Sequence, residues 1–329
     1  MNNRSVAIHF VQAVLRGAER HKHDGHALLH AAGINPELLS QPRARVDPEQ
    51  YARLVQLTWQ TLNDEYMGLG RSASKPGTFA MMCHSLIHCP TLEKALQRGM
   101  LFYGLFADAP RVQLRQEGGL SWLEIDTSMM DDPDHFLTES LLVIWHRLGS
   151  WLIGKRIPLE TACFDYPAPT HYREYELIFG CPLEFAQPVT AVAMRTSYLQ
   201  MPLIQDERTL KRFLAHSPAD LLSRRDFGNS LSSRLRQLIG KRVGADMPDM
   251  EAIAAQLNMS PPTLRRHLRE EGTSWQELKD HLRRDIAIYH LTRQDLPIQD
   301  IAALLGFSEP SAFHRAFKKW TGLTPGEYR

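Results

Sequence analysis

MEAIAAQLNMS, from Met250 to Ser260, and IQDIAALLGFS, from Ile298 to Ser308, are one helical pattern written twice, 48 positions apart. Apolar residues fall at Met250, Ile253, Ala254 and Leu257, and again at Ile298, Ile301, Ala302 and Leu305. The spacing i, i+3, i+4, i+7 is the stripe of a helix with one buried face. Each stripe runs into a turn that closes on serine, and a second helical pattern follows. Leu264 and Leu268 mark it in the first copy, Phe313, Phe317 and Trp320 in the second. The offset there becomes 49, so the second turn carries one extra residue. Ser260 and Ser308 are placed as N-caps. Pro261, Pro262 and Pro310 sit early in the helices, where a missing N–H costs nothing.

Helix, tight turn, helix is a helix-turn-helix, and the side chains that the second helix exposes tell its use. Away from the apolar stripe the first copy shows Thr263, Arg265, Arg266 and Arg269; the second shows Ser311, His314, Arg315, Lys318 and Lys319. Arginine can grip a guanine edge bidentately in the major groove, while flanking cations neutralise phosphates. Between the copies, Ser274 to Gln294 opens with a Ser-x-x-Glu capping box (Ser274, Glu277) and carries Trp275, Leu278, Leu282, Ile286 and Tyr289 along one face. At 1.5 Å per residue such a helix is about 30 Å long. Major-groove faces one turn apart lie about 34 Å apart. A rod of that length suits two reading heads on one side of a duplex.

The run from Ile298 to Arg329, with Gly306-Phe307-Ser308-Glu309-Pro310 and Gly322-Leu323-Thr324-Pro325-Gly326 at its turns, resembles the C-terminal signature of AraC/XylS-family transcription regulators. The resemblance implies a DNA-binding unit over about Arg234 to Arg329, with two helix-turn-helix motifs, at about 250–271 and 297–320, joined by a linker helix at 274–294. It also implies sequence-specific promoter binding as a dimer. By position, Arg265 and Arg266 match the base-reading residues of the first recognition helix, and Ser311 and Arg315 those of the second. Pro262 departs from the pattern, standing where many members carry a larger side chain aimed at a base.

The 329 residues exceed one typical domain, and 43% hydrophobic with 23% charged residues is the composition of a globular protein. From Leu221 to the end, Lys plus Arg number 17 against 13 Asp plus Glu; the rest of the chain has 21 against 24. The positive part holds the reading heads, as phosphate binding requires. No signal sequence opens the chain and no apolar run approaches a membrane span, so a cytoplasmic protein is expected. Four cysteines in a chain of this size suggest reduced thiols.

The N-terminal part reads as helices at Val6–Arg20, Ala27–Ala32, Pro48–Leu62, Thr78–His88 and Thr91–Phe106. Strands follow on either side of a Gly118-Gly119 turn, then a helix from about His135 to Gly154. Strands return at Thr161–Tyr166 and Leu183–Met194, separated by a helix at His171–Phe179. This is an α+β domain with a small, mainly antiparallel sheet, ahead of an all-α C-terminal domain. Gly68-Leu69-Gly70-Arg71-Ser72-Ala73 has the outline of a dinucleotide loop, but it follows a helix and is read as a plain loop. His21, His23, His26 and His30 fit no familiar metal site. His84 and His88 stand at i, i+4 beside Cys83 and Cys89, as zinc ligands can, but Cys83, Leu86 and Ile87 suit a buried face and packing is favoured.

Phe164-Asp165-Tyr166-Pro167-Ala168-Pro169, His171, Glu174-Tyr175 and Phe179-Gly180-Cys181-Pro182-Leu183, with Cys89-Pro90-Thr91-Leu92, are similar to the arabinose-binding-like domain of one branch of these regulators, the OruR-like and VqsM-like proteins. That likeness covers about Ala18 to Leu210 and implies a module that senses a small molecule, dimerises, or both; no run demands a sugar-binding cupin barrel. The expected organisation is an effector or dimerisation domain at 1–210, a linker at 211–232 rich in basic residues such as Arg224 and Arg225, and the DNA-binding domain at 233–329. The expected partners are double-stranded promoter DNA, RNA polymerase, an unidentified small-molecule effector and a second copy of the chain, with no membrane, metal or cofactor. Tyr103, Phe106, Trp122, Trp145 and Tyr166 are candidates for an effector pocket, though aromatics at helical spacing are more often core. A dimeric regulator without a ligand is the alternative. An enzyme is the weakest reading, since no G-x-S-x-G, H-E-x-x-H or phosphate loop is found.

Overall fold

The structure, a computed structural model, describes residues 5–215, 221, 231–239, 247–270 and 273–329. Most of the expected 211–232 linker, with Arg224 and Arg225, lies outside the described residues, as does 240–246, with Lys241 and Arg242. In chain order the elements are β1 (Val6–Ala7), α1 (Ile8–Arg20), α2 (Gly25–Ala32), β2 (Arg45–Val46), α3 (Pro48–Leu62), α4 (Thr78–Leu86), α5 (Leu92–Tyr103), β3 (Arg111–Glu117), β4 (Leu120–Asp126) and α6 (Phe136–Leu152). They continue with β5 (Leu159–Cys163), α7 (Tyr172–Phe179), β6 (Leu183–Glu184), β7 (Thr190–Arg195), α8 (Glu207–Leu214), α9 (Leu231–Ile239), α10 (Met250–Gln256), α11 (Pro261–Glu270), α12 (Trp275–Arg293), α13 (Ile298–Leu304), α14 (Pro310–Thr321) and α15 (Pro325–Tyr328).

Two units emerge: Met1–Gln12, Leu29–Tyr51 and Asn229–Arg329 group together, as do Ala13–Leu28 and Ala52–Gly228. This differs from the expected contiguous division at residue 210. The reason is long-range polar pairing by the N-terminal segments, which periodicity along the chain cannot register.

In the unit built on Ala52–Gly228, a five-stranded sheet runs in the order β3-β4-β7-β5-β6, antiparallel except for β5 with β6. Gly118 and Gly119 both adopt positive φ, 60° and 81°, as the two-residue hairpin turn between β3 and β4 demands. The expected strand Leu183–Met194 is two short ones. β6 and β7 flank β5 on opposite sides, so the residues between them, including Pro188 with no N–H to donate, must carry the chain across. Leu123, Ile125, Val192, Met194 and Phe164 pack against Met82, Leu86, Leu92, Leu96, Trp145 and Leu148 of α4 to α6 in one core. Cys83 lies in that core while His84 and His88 are exposed, so the four candidate zinc ligands point apart.

In the other unit, Leu264 and Leu268 of α11 and Ile253 and Ala254 of α10 share a core with Leu235 and Ile239 of α9 and with Trp275, Leu278 and Leu282 of α12. Further along, α12 packs against α13, α14 and α15. Ala287, Ile288 and Leu291 of α12, Ile301, Ala302 and Leu305 and the rings of Phe313, Phe317 and Tyr328 are all buried. One helix therefore serves the cores of both repeats.

The N-terminal segments are tied into this unit. Ser5 Oγ donates to the Asp285 carboxylate of α12. Arg45 grips Ser5 through Nε on Oγ (2.8 Å) and NH2 on the carbonyl (2.7 Å), and its backbone N–H donates to Tyr328 Oη (3.1 Å). Arg293 donates to Asp47 (3.2 Å) and Glu49 (2.6 Å). The described residues from 233 onward form helices alone, as the sequence suggested, and the β1–β2 ribbon in this unit comes from its N-terminal segments.

Candidate nucleic-acid interface

The first repeat begins at Asp249, whose carboxylate caps α10 by accepting from Ala252 N at 2.7 Å. The turn from α10 to α11 passes through Asn258 at φ 54°, a conformation that asparagine tolerates. Ser260 then caps α11: its Oγ accepts from Thr263 N (3.3 Å) and meets Thr263 Oγ1 (2.8 Å). In the second repeat the corresponding turn uses Gly306 at φ 76°. The expected cap Ser308 is displaced. The one-residue insertion puts Glu309 at the N-cap of α14, with Pro310 at N1 and no side-chain cap bond, so Pro310 starts the helix by its fixed φ alone.

With Leu264 and Leu268 buried, Arg265, Arg266 and Arg269 all project into solvent from α11. On α14, buried Phe313 and Phe317 leave Ser311, Arg315, Lys318 and Lys319 exposed. His314 is half-buried. Two of these side chains have company: Arg266 Nε lies 3.9 Å from Glu270 Oε1, and Ser311 Oγ donates to Glu309 Oε2 at 3.2 Å. Thr263 is half-buried, and its hydroxyl is engaged in the cap. The rod between the heads is α12, 19 residues, opened by Ser274 Oγ accepting from Glu277 N at 3.2 Å. The second half of the expected capping box is replaced by Thr273 Oγ1 donating to Glu277 at 3.4 Å. At 1.5 Å per residue the rod is about 28 Å long.

The five aromatics expected around an effector pocket divide. Tyr103 and Trp145 line an apolar cavity of about 40 Å³ among α3 to α6, and Phe106 lines a neighbouring cavity of about 320 Å³. Trp122 and Tyr166 border neither. Trp122 lies under the Arg115 guanidinium at 5.3 Å, and Tyr166 is a core residue stacked on His135 at 3.6 Å with its hydroxyl 3.1 Å from that of Tyr175. What the sequence reading missed is Tyr66, which borders both cavities, and the polar loop beyond it, where Ser72 and Ala73 end the Gly68–Ala73 motif. Among the described residues no His, Cys, Asp and Glu cluster has the makings of a metal site, and no helix is long and apolar enough to cross a membrane.

A family profile described as the arabinose-binding domain of AraC transcription regulator, N-term, matches residues 23–203, and one described as a helix-turn-helix domain matches residues 253–329. The chain is 30% identical over 327 residues to the ornithine utilization regulator of Pseudomonas aeruginosa, covering 98% of this chain and 96% of that protein. To the HTH-type transcriptional regulator VirS of Mycobacterium tuberculosis it is 33% identical over 150 residues, 46% of this chain and 38% of the other. Among solved structures, the C-terminal domain of AraT, a response regulator from Geobacillus stearothermophilus, is 35% identical, spanning 30% of this chain and 82% of that one at a TM-score of 0.28. Exposed cations on the second helix of each repeat, over apolar faces that are buried, define a DNA-binding transcription regulator of the helix-turn-helix class. The chain belongs to the AraC family of transcription regulators, with an N-terminal domain of the arabinose-binding type. Its relatives are regulators, and the enzyme reading is set aside.

Proposed function

We propose that Arg265, Arg266 and Arg315 read base edges in promoter DNA with help from Thr263, Ser311 and His314, and that Arg269, Lys318 and Lys319 hold phosphates. The observation that carries this reading is the exposure of the cations of α11 and α14 beside fully buried Leu264 and Phe317. Arginine's planar fork suits a base edge, and lysine's point charge suits a phosphate. The regulator acts in the cytoplasm on double-stranded DNA alongside RNA polymerase. The Ala52–Gly228 unit takes a small-molecule effector, and ornithine is one probe to try because of the relative's name. A second reading, dimerisation through that unit without a ligand, is supported by Met81, Leu101, Leu105 and Phe106, large apolar side chains left 47% to 80% exposed.

Mapping of bound sites followed by footprinting tests the assignment. Arg315→Ala loses about 1–3 kcal/mol of discrimination at one base pair, whereas Lys319→Ala weakens all sequences alike and flattens the salt slope. Equal losses on specific and random DNA remove Arg315 as a base reader.

A further inference from the structure

β3 stands at one edge of the five-stranded sheet, with β4 on one side and, among the described residues, no strand on the other. All of its residues, Arg111 to Glu117, pair with β4, and Glu117 faces Leu120 across the two-residue turn. In such a hairpin the pair that flanks the turn exchanges hydrogen bonds, and the pattern then alternates along the strand. Arg111, Gln113, Arg115 and Glu117 therefore direct their N–H and C=O groups to β4. Val112, Leu114 and Gln116 turn theirs outward, where none has a partner among the described residues. A long strand with its outer backbone groups open is a template for another strand.

The side chains say which strand fits. Val112 and Leu114 pack against the core, and Arg111, Gln113, Arg115 and Glu117 line the exposed outer face. A second β3, antiparallel and centred on Leu114, brings outward backbone groups opposite one another along the whole strand. That register sets Arg111 against the partner's Glu117 and Glu117 against the partner's Arg111, in non-hydrogen-bonded pairs where side chains approach most closely. On the core side Leu114 meets its own copy. Sliding by two residues in either direction shortens the overlap and sets Arg111 against Arg115, or Arg115 against itself. A slide of one residue opposes outward groups to groups already bonded to β4. Charges on an exposed edge ordinarily repel a neighbour; here they reject the shifted registers and favour the full-length one. Within the chain Glu117 accepts from Arg115 and Arg111 stands opposite Asp126, exposed contacts that leave room for a second partner. The helix packed against β3, α5, also carries Leu101, 74% exposed, so the adjoining element has apolar surface uncovered too.

We infer that β3 is a self-complementary edge through which two copies of the chain join about a two-fold axis, their sheets running on as one. The inference rests on the dimerisation reading of this unit and assigns the surface. The test uses the full-length protein and follows dimer dissociation by analytical ultracentrifugation. Arg111→Glu turns both charge pairs into carboxylate against carboxylate, and Glu117→Arg turns both into guanidinium against guanidinium. Each variant alone has a dimer dissociation constant raised by roughly tenfold or more. Mixed together they form a heterodimer close to the wild-type dimer in affinity, because each new charge then meets its opposite. That recovery also shows that neither variant has lost its fold. Gln116→Pro, which removes an outward N–H and leaves the ladder with β4 whole, weakens the dimer as well. Single charge variants that dimerise as tightly as wild type, or that stay apart when mixed, overturn the proposal while the dimer itself stands. A wild-type chain that is monomeric at the highest concentrations overturns the dimerisation reading along with it, so the two failures are told apart.

Discussion

Replacing Arg293 by methionine keeps the aliphatic stem on α12 and removes the charge that faces Asp47. The Asp47 side chain is 3% exposed, so the variant strands a buried carboxylate. Breaking a buried pair from one side costs about 3–5 kcal/mol. Arg293 itself is 27% exposed, and solvent at that end trims the figure to about 2–3 kcal/mol. The bond to Glu49, 66% exposed, adds little. The guanidinium also lies 3.7 Å from the centre of the Tyr289 ring, a cation–π contact worth about 0.5–1 kcal/mol. Together the loss is about 3 kcal/mol, or a fall of roughly 6–12 °C in the transition that melts this unit. The loss depends on pH. Burial raises the Asp47 carboxyl above its ordinary 3.8, against the pull of the Glu49 N–H and of Arg293. Without Arg293 it rises further. A folded-state value above the unfolded one means that the native state holds the proton longer, so the variant's deficit is small in acid and grows as pH rises through the folded value. Adding Asp47→Asn removes the stranded charge and recovers at least about 1.5 kcal/mol. Thermal unfolding of wild type, both single variants and the double variant between acid and neutral pH decides the matter. A double variant no more stable than Arg293→Met, or a single loss under about 1 kcal/mol, refutes the claim that Arg293 ties the N-terminal segment to α12.

Ser260→Ala loses the cap of α11 and about 1 kcal/mol, while Ser308→Ala is near neutral because Glu309 occupies the cap of α14; denaturant titration separates them. Burial pushes the Glu139 carboxyl up to about 7 from the ordinary 4.5, against the pull of His171 and Tyr175. Stability therefore falls as pH rises between those values, and Glu139→Gln flattens the fall in a melting-temperature profile. Gly99→Ala places a methyl 2.7 Å from the Trp145 ring and destabilises by about 1–3 kcal/mol, with a shift in tryptophan emission.

The reading heads were legible because their signals are local. An i, i+3, i+4 stripe dictates which face of α11 is buried, and Arg265, Arg266 and Arg269 are left outside whatever the rest of the chain does. The same logic placed the β3–β4 turn at Gly118 and Gly119 and the cap at Ser260. It failed at Ser308 because one inserted residue slides the helix start without changing the apolar period. Among the aromatics, Trp122 and Tyr166 have the same composition signal as Tyr103 and Trp145, and only their neighbours separate surface and core from cavity wall.

By itself, the order of residues settled that two helices expose cations over buried apolar faces on either side of a shared rod, since helical period, caps and turn glycines act over a few positions. Tertiary structure alone decided that Ser5 meets Asp285, 280 positions away, that Arg45 meets Tyr328, 283 positions away, and that Tyr66 borders two cavities. Such contacts depend on how distant segments satisfy one another's polar groups once both are out of water, and no pattern along the chain encodes that pairing.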